Sequence, residues 1–454
     1  MSKKKEQIWD GNVRDAALTI LLTVDKSQAY SNLLLHQTIE KYKIVDAKDR
    51  GLLTELTYGT LQHKMTLDYY LDPFIRGKVD IWVRWLLRLS LYQMHYLTRI
   101  PAHAAVNEAV EIAKRRGHQG IASMVNGILR SILRQGVRST DLIEDANERL
   151  AIETSHPNWL VDRWVESYGY EKTSEMLHEN NIPPVQTVRV NTTKATVEKV
   201  LATLEREGVK AQRSEFVPEC IYLTSGQAAR TAAFKHGLIT IQDESSMLPA
   251  NVLNPQPGMK VLDMCAAPGG KTTHLAEKMQ NEGSILATDL HVKKLDLIDE
   301  NTARLGIEIV QTAPLDGRKA GSFLQAEDYD AVLVDAPCSG LGVMRRKPDI
   351  KYTKREEDLE SLQTIQLALL DNAVKVLKQG GRLVYSTCTV DKRENEGTVK
   401  AFLAAHPEME SQHLENLPQQ LDAKQQDGML QVFPQDIGSD GFFVAAFVKK
   451  GASH

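Results

Sequence analysis

The stretch Val261-Leu262-Asp263-Met264-Cys265-Ala266-Ala267-Pro268-Gly269-Gly270-Lys271-Thr272 constrains this chain more than any other. Val261 and Leu262 closing on Asp263 read as the end of a short buried strand. The small residues that follow read as a tight glycine turn, and Lys271-Thr272 opens a helix. Small residues let the backbone approach a ligand, and the free N–H groups of a helix start favour its negative end. Such a strand, turn and helix form the cofactor end of an α/β sheet. The spacing is neither G-x-G-x-x-G nor G-x-x-x-x-G-K-[ST], so a dinucleotide site or an ATP phosphate site fits poorly.

The residues that follow repeat the pattern. Residues 283–290 predict a second strand ending in Asp289, nineteen residues after Gly270. That is near the roughly 20-residue offset at which an acid meets ribose hydroxyls in such sheets; a helix N-cap is the competing role. A third apolar run, 307–310, precedes Pro314-Leu315-Asp316, where Asp316 is either close to a bound base or simply a turn former. Residues 329–338 predict a fourth strand ending in Asp335-Ala336-Pro337-Cys338, and 381–389 a fifth ending in Thr387-Cys388-Thr389. A lone cysteine at a strand end is ordinarily a small buried hydrophobe. Here two of the four lie at the carboxyl ends of predicted parallel strands, the edge at which ligands bind in open α/β sheets.

The rest of the chain divides into two further parts. Residues 1–144 carry helical periodicity: Val13, Ala17, Ile20, Leu21 and Val24 share a face, as do Trp82, Trp85, Leu86, Leu89, Tyr92 and Tyr96. Val106, Ala109, Val110 and Ala113 mark a third helix, and Ile121, Val125, Ile128, Leu129 and Ile132 a fourth. Lys114, Arg115, Arg116, Arg130, Arg134 and Arg138 form either a basic patch for RNA phosphates or a solvated helix surface. Residues 145–254 mix a helix through Trp164 with predicted strands at 187–191, 209–216, 221–224 and 238–242 and a helix at 197–207, a small α+β unit. Pro255-Gln256-Pro257-Gly258 marks the next boundary. In 255–454, residues 359–377 predict a long amphipathic helix, 411–431 a polar loop excursion and 441–447 a late strand.

Composition excludes several classes. No apolar run approaches the roughly 18 residues of a membrane span. The basic residues 1–7 are not followed by the apolar segment of a secretory signal. Cys220, Cys265, Cys338 and Cys388 are scattered and form no C-x-x-C, which disfavours zinc and a disulfide framework and fits the reducing cytoplasm. The formal net charge of −4 requires any RNA-binding face to be local.

Asp-Met-Cys-Ala-Ala-Pro-Gly-Gly-Lys-Thr (263–272), Asp-Ala-Pro-Cys-Ser-Gly (335–340) and Ser-Thr-Cys-Thr (386–389) together resemble, in the same order, the motifs of the RNA 5-methylcytosine methyltransferases. Asp49-Arg50-Gly51 and Val106-Asn107-Glu108-Ala109-Val110 resemble the all-helical antitermination factor NusB, which bacterial 16S rRNA methyltransferases of the RsmB type carry in front. The resemblance implies a multidomain fold: an all-α NusB-like domain, a small α+β domain and a Rossmann-like methyltransferase domain. It implies S-adenosyl-L-methionine as cofactor, held by Cys265, Ala266, Ala267, Pro268, Gly269, Gly270, Lys271, Asp289, Asp316 and Asp335. It also implies Cys388 as the nucleophile that adds to C6 of cytosine, Cys338 as the thiol that assists product release, and Asp335 as the partner of N3. Arg189 and Asn191, and the run Gly340-Leu341-Gly342-Val343-Met344-Arg345-Arg346-Lys347-Pro348-Asp349, become candidate RNA contacts; the competing roles are a strand-end arginine paired with a surface acid and a solvated charged loop. Small-subunit ribosomal RNA is the expected partner of a cytoplasmic monomer, with no membrane and no metal.

Two other classes compete. An NAD-dependent oxidoreductase shares the sheet but lacks its glycine fingerprint here. A non-catalytic RNA-binding or antitermination factor would not need the three motifs intact. Within the first class, transfer RNA is the alternative substrate.

Overall fold

A 3.6-residue apolar rhythm runs through the first third of the chain, and it produces helices there. The structure, a computed structural model, describes residues 11–451 apart from 28, 29 and 45; the basic residues 1–7 lie outside the described residues. Among the described residues, ten α-helices follow one another from Val13–Ser27 to Tyr170–Glu179. Val13, Ala17, Ile20, Leu21 and Val24 are all buried, and so are Trp85, Leu86, Leu89 and Tyr92, while Trp82 and Tyr96 pack half-buried around them. The helix Gln119–Gln135 buries Val125, Ile128, Leu129 and Ile132 and stops at Gly136, whose φ of 74° suits a residue without a side chain. Ser155, at φ 55°, ends the helix Ala146–Thr154, and Pro157 caps the next, Asn158–Tyr168, which buries Trp164.

The chain divides into two units, Met1–Ile182 with Met344–Thr353, and Pro183–Val343 with Lys354–His454. In the first unit the short segment Met344–Thr353 is embedded among the helices. Lys351 is buried, and its Nζ donates to the carbonyls of Gln62 (3.1 Å) and Thr154 (3.4 Å) and to Oδ1 of Asn181 (2.7 Å). Asp349 accepts from the Ser31 hydroxyl. Arg345 pairs with Glu179 at 3.2 Å and donates to the Ile182 carbonyl. Much of the run expected to grip RNA is therefore packed inside the helical unit. Burial lowers the Lys351 ammonium well below the ordinary lysine range.

The second unit holds two sheets. Strands β1 (Gln186–Val190), β2 (Ala211–Arg213), β3 (Cys220–Leu223) and β4 (Ile239–Ile241) form an antiparallel sheet in the order β2-β3-β1-β4. The helix Val197–Arg206 closes one face, burying Val197, Val200 and Leu204 with Val188, Val190 and Ile221.

The larger sheet contains β5 (Lys260–Asp263), β6 (Ser284–Asp289), β7 (Val310–Pro314), β8 (Tyr329–Asp335), β9 (Leu377–Thr387), β10 (Met409–Ser411), β11 (Met429–Val432) and β12 (Phe442–Lys449). Its order is β10-β12-β9-β8-β5-β6-β7, with β11 also on β12. Strands β5 to β9 are parallel, and β12 is antiparallel to β9. Alternate residues feed two cores: Val261, Leu333 and Val384 one, Leu262, Val332 and Leu383 the other. With both faces covered, these strands read as nearly continuous apolar runs. From β5 the chain winds outward through β6 and β7, then returns to β8 on β5's other side. The crevice at the carboxyl ends of β5 and β8 is the switch point at which such sheets take ligands.

Two expectations shift. Residues 307–310 predicted the third strand, yet β7 begins only at Val310. Ile307 is spent burying the end of the helix Val292–Leu305, its N–H bonded to the Thr302 carbonyl. The polar stretch 411–431 is not all loop: its end forms β11, paired along β12.

Candidate active site

Asp263 ends β5, Asp335 ends β8, and Cys388 follows the last residue of β9, so chain direction alone brings the three to one edge. A cavity opens there, lined by Asp263, Cys265, Ala266, Ala267, Pro268, Gly270, Lys271, Asp335 and Cys388. Gly269 has φ +97°, and a Cβ on it would come within 3.2 Å of the Ile298 backbone, so the turn needs glycine on both counts. The helix Gly270–Lys278 starts from it.

Charge in the cavity is arranged around Lys271. Its Nζ lies 2.8 Å from Oδ2 of Asp335, whose Oδ1 accepts from the Ser386 hydroxyl at 2.7 Å. Burial lowers the Lys271 pKa, but the Asp335 charge and hydrogen bond, with a further pull from Cys388, outweigh it and leave it above the usual lysine value. Its ammonium also lies 5.2 Å from the Phe442 ring centre. Asp263 is fully buried. Its Oδ2 accepts from the Thr272 hydroxyl at 2.7 Å, while Oδ1 makes no hydrogen bond of normal geometry among the described residues, although the Cys265 amide helps to hold its charge. Burial, reinforced by the Asp335 charge and opposed by Thr272, pushes its pKa up to about 7.

The two cysteine sulfurs are 3.3 Å apart, within the reach of one S–H···S hydrogen bond. That bond, then burial, then the charges of Cys388 and Glu394, push the Cys338 thiol well above its ordinary pKa. The pair shares that contact, either sulfur able to donate, and Cys388 is the one that faces the cavity. Neither cysteine is in a disulfide. Gly342 and Gly441 allow the loops to close: the Gly342 N–H donates to the Cys388 carbonyl at 3.0 Å, and a Cβ on Gly342 would lie 2.0 Å from the Gly441 oxygen.

Other expected residues lie elsewhere. Asp289 ends β6 with Oδ1 accepting from the His291 N–H at 3.0 Å. Asp316, beyond β7, holds Arg318 through two hydrogen bonds of 2.8 Å and lines a separate depression with Pro314, Lys319 and Phe323. Cys220 is core, and Cys265 is held as a neutral thiol by burial. Arg189 is not available to RNA. It is 0% exposed, its guanidinium bonded to both Glu277 oxygens (2.9 and 2.7 Å), the Gly270 carbonyl (2.7 Å) and Thr273 Oγ1 (3.0 Å). It thus ties β1 to the first turn of the cavity helix. Asn191 is equally buried, donating to the carbonyls of Gly237 and Leu305. Of the basic residues in the helical unit, Arg115 and Arg116 converge on Asp15, Lys114 meets Glu111, and Arg138 stacks on Tyr69.

Sequence reasoning missed Asp263 as a wall residue, and also Gln242, Asp243, Ser245, Asp440 and Phe442, which line the same cavity. Asp263 carried a signal, being the one acid inside the glycine motif. The others come from before β5 and from the turn into β12, and only the fold brings them in.

A family model for 16S rRNA methyltransferase RsmB/F matches residues 250–448. The "Probable ribosomal RNA small subunit methyltransferase B" of Bacillus subtilis (strain 168) is 50% identical over 444 residues, 97% of this chain and 99% of that one. The chain belongs to the RsmB/F family of rRNA small subunit methyltransferases. The family's other parts are present too: a NusB family model matches 11–134, and an RsmF/B-like ferredoxin-like domain matches 156–230. The ribosomal RNA small subunit methyltransferase B of Pseudomonas putida is 34% identical over 97% of this chain and 99% of that protein. Among solved structures, PH0851 superposes with a TM-score of 0.82 at 30% identity, over 98% of this chain and all of that one. NSun6 from Pyrococcus horikoshii with SFG gives 0.57 at 25% identity, over 64% of this chain and 97% of that one. No helix among the described residues is long and apolar enough to cross a membrane.

Proposed function

We propose that the chain moves a methyl group from S-adenosyl-L-methionine to C5 of a cytosine in 16S ribosomal RNA, through a covalent bond between Cys388 and C6. The observation that carries this reading is the cysteine pair: two thiols from two strand ends, 3.3 Å apart, with Cys388 facing the cavity that holds Asp335 and Lys271.

The cavity suits the cofactor. A buried carboxylate oxygen of Asp263 without a full partner faces a space next to a helix start and a glycine turn, which fits a ligand with a cationic amine and a carboxylate. The family relative NSun6 was solved with SFG, an analogue of S-adenosylmethionine. Residues 265–271 would hold the donor, with Asp289 the candidate for its ribose hydroxyls and Asp316 for its adenine. The cofactor supplies the methyl group from a sulfonium.

The chain's own residues do the rest. C5 of cytosine is a weak nucleophile. The Cys388 thiolate adds to C6, and the C5–C6 electron pair moves toward N3, where Asp335 is the facing group. C5 becomes enamine-like and takes the methyl group, and a base removes the C5 proton. The S–C6 bond then breaks, and the C5–C6 double bond returns. Cys338, bonded to the Cys388 sulfur, assists that release. A base inside a helix is out of reach, so the target cytosine is flipped out or sits in a loop. In this reading residues 1–144 and 145–254 hold the RNA, and 255–454 carry out the chemistry.

The test is methyl transfer from labelled S-adenosylmethionine to small-subunit rRNA transcribed in vitro. Label appears as 5-methylcytosine with the wild type and disappears with Cys388→Ala. Cys338→Ala accumulates a covalent protein–RNA adduct. Activity retained by Cys388→Ala and lost in Cys338→Ala would exchange the two roles, and a wild type that labels no RNA would remove the reading.

A further inference from the structure

Just past the cysteine of β9, the chain makes an unusual turn. Arg393–Gly397 is a single π-helical turn, a form that recurs at functional sites because it re-aims side chains within a helix. Two of its residues, Glu394 and Asn395, are 0% and 2% exposed, and they point at different loops.

Glu394 serves the loop of Cys338. Its Oε2 accepts from the Ser339 N–H at 2.9 Å and from Gln366 Nε2 at 2.9 Å, and its Oε1 accepts from the Ser339 hydroxyl. Gln366 Nε2 also donates to the Pro337 carbonyl at 3.1 Å. The residues on either side of Cys338 are therefore tied, directly or through Gln366, to one carboxylate.

Asn395 serves the loop of Cys388. Its Oδ1 accepts from the Thr387 hydroxyl at 2.6 Å, and its Nδ2 donates to the Thr389 carbonyl at 3.0 Å and to Gln431 Oε1 at 2.7 Å. The residues on either side of Cys388 are thus held by one amide. The turn itself is fixed by the Tyr385 hydroxyl, which donates to the Glu394 carbonyl at 2.7 Å. The two loops also touch where the Ser339 and Thr389 hydroxyls meet at 2.8 Å.

We propose that Glu394 and Asn395 are positioning residues for the two cysteines: one π-helical turn sets the sulfur–sulfur distance, with Glu394 holding the release thiol and Asn395 the nucleophile. Neither touches substrate. The proposal rests on the cysteine roles given above and adds a division of labour between adjacent residues. A buried side chain that made only general packing contacts would not affect the two steps separately.

The experiment uses the full chain as wild type, Glu394→Gln and Asn395→Asp, the latter also in a Cys338→Ala background. Glu394→Gln keeps size and removes the charge. Asn395→Asp keeps the acceptor for Thr387 and turns the donor to Thr389 into an acceptor. With transcribed small-subunit rRNA, Glu394→Gln is expected to accumulate the covalent adduct as Cys338→Ala does, with kcat down roughly tenfold to a hundredfold and KM for RNA nearly unchanged. Asn395→Asp is expected to slow adduct formation by a similar roughly tenfold to hundredfold factor, even where Cys338→Ala blocks release. Without RNA, iodoacetamide labelling followed by peptide mass spectrometry is expected to change at Cys338 in the first variant and at Cys388 in the second.

Equal effects of both variants on one step, or labelling that changes equally at both cysteines, overturn the proposal. If either variant fails to fold, Ser339→Ala and Thr387→Val cut the same two tethers from the loop side and must divide the steps in the same way. A wild type that transfers no methyl group to RNA removes the catalytic reading instead, while the labelling pattern still decides whether the tethers divide as stated.

Discussion

At the scale of single residues, Asp263 carries the clearest pH signature. Its folded pKa is raised to about 7 from a usual value of 3.8. Between those values the folded chain keeps a proton that the unfolded chain has lost, so its contribution to stability falls as pH rises through that window. A cationic ligand reverses the preference, because it pairs with the ionised form. The affinity for S-adenosylmethionine is therefore expected to strengthen as pH rises toward 7, by up to about tenfold per pH unit, and to level off above it. Calorimetric titration between pH 5.5 and 8.5 reads this directly, and Asp263→Asn should flatten the profile. The same scale explains what could be read in advance. The glycine turn, Cys388, Cys338 and Asp335 sit in contiguous motifs, so they were legible. Arg189 pairs with an acid, as one of its two expected roles had it, but the pair is buried rather than on the surface, because a strand-end arginine looks exposed in sequence. Glu277, the partner that buries it, is 88 residues away along the chain.

Elements give the next set of expectations. Arg189 links β1 to the helix Gly270–Lys278 through a fully buried ion pair. Such a pair contributes little net stability, but losing one member leaves a charge with no solvent. Arg189→Met is expected to destabilise the second unit by roughly 3–5 kcal/mol in denaturant unfolding, and adding Glu277→Leu should restore most of it. The glycine pair Gly342 and Gly441 is a second test. Gly342→Ala puts a methyl group against the Gly441 carbonyl and 2.9 Å from the Cys388 carbonyl, so the Cys338 loop must move away from both. Its expected result is loss of methyl transfer with S-adenosylmethionine affinity retained, by activity assay and calorimetry. Strand order was only partly legible. Apolar runs ending in aspartate marked β5, β6 and β8, whereas β7 slid because periodicity cannot tell an apolar helix cap from the start of a strand. The pairing of β11 with β12, the next strand along the chain, was hidden by the polar residues that precede β11.

At the scale of the whole molecule, the two units differ in what they bury. The first hides His63 and His156, both kept neutral mainly by burial and then by the nearby Lys351 charge; His63 is held down to about 3. Below the ordinary histidine value of 6.5 the unfolded chain takes up protons that the folded unit refuses, so stability is lost as pH falls from there. Of the five tryptophans, the four among the described residues, Trp82, Trp85, Trp159 and Trp164, all lie in this unit, and Trp9 lies outside the described residues. Among the described residues, intrinsic tryptophan fluorescence thus reports the helical unit. Its midpoint in thermal melts should drop between pH 7 and pH 5, and circular dichroism, which sees both units, should show a second transition that fluorescence lacks. The helical unit's core faces were plain from periodicity, because each helix carries its own stripe. That Met344–Thr353 belongs with it was not, since nothing local marks a segment whose partners are up to 318 residues away.

That segment governs how the polypeptide could ever be taken apart. Because Met344–Thr353 counts with the helices, the backbone crosses between the units three times, at 182/183, 343/344 and 353/354. No single cleavage separates them. A clone beginning at Pro183 would carry Asp349 and Lys351 without the Ser31, Gln62 and Thr154 groups that bury them. A clone ending at Ile182 would leave the Ser31 donor and the Gln62 and Thr154 acceptors without those partners. Expression of halves, fragment complementation and gene fusion at this junction should therefore fail unless the ten residues travel with the N-terminal piece.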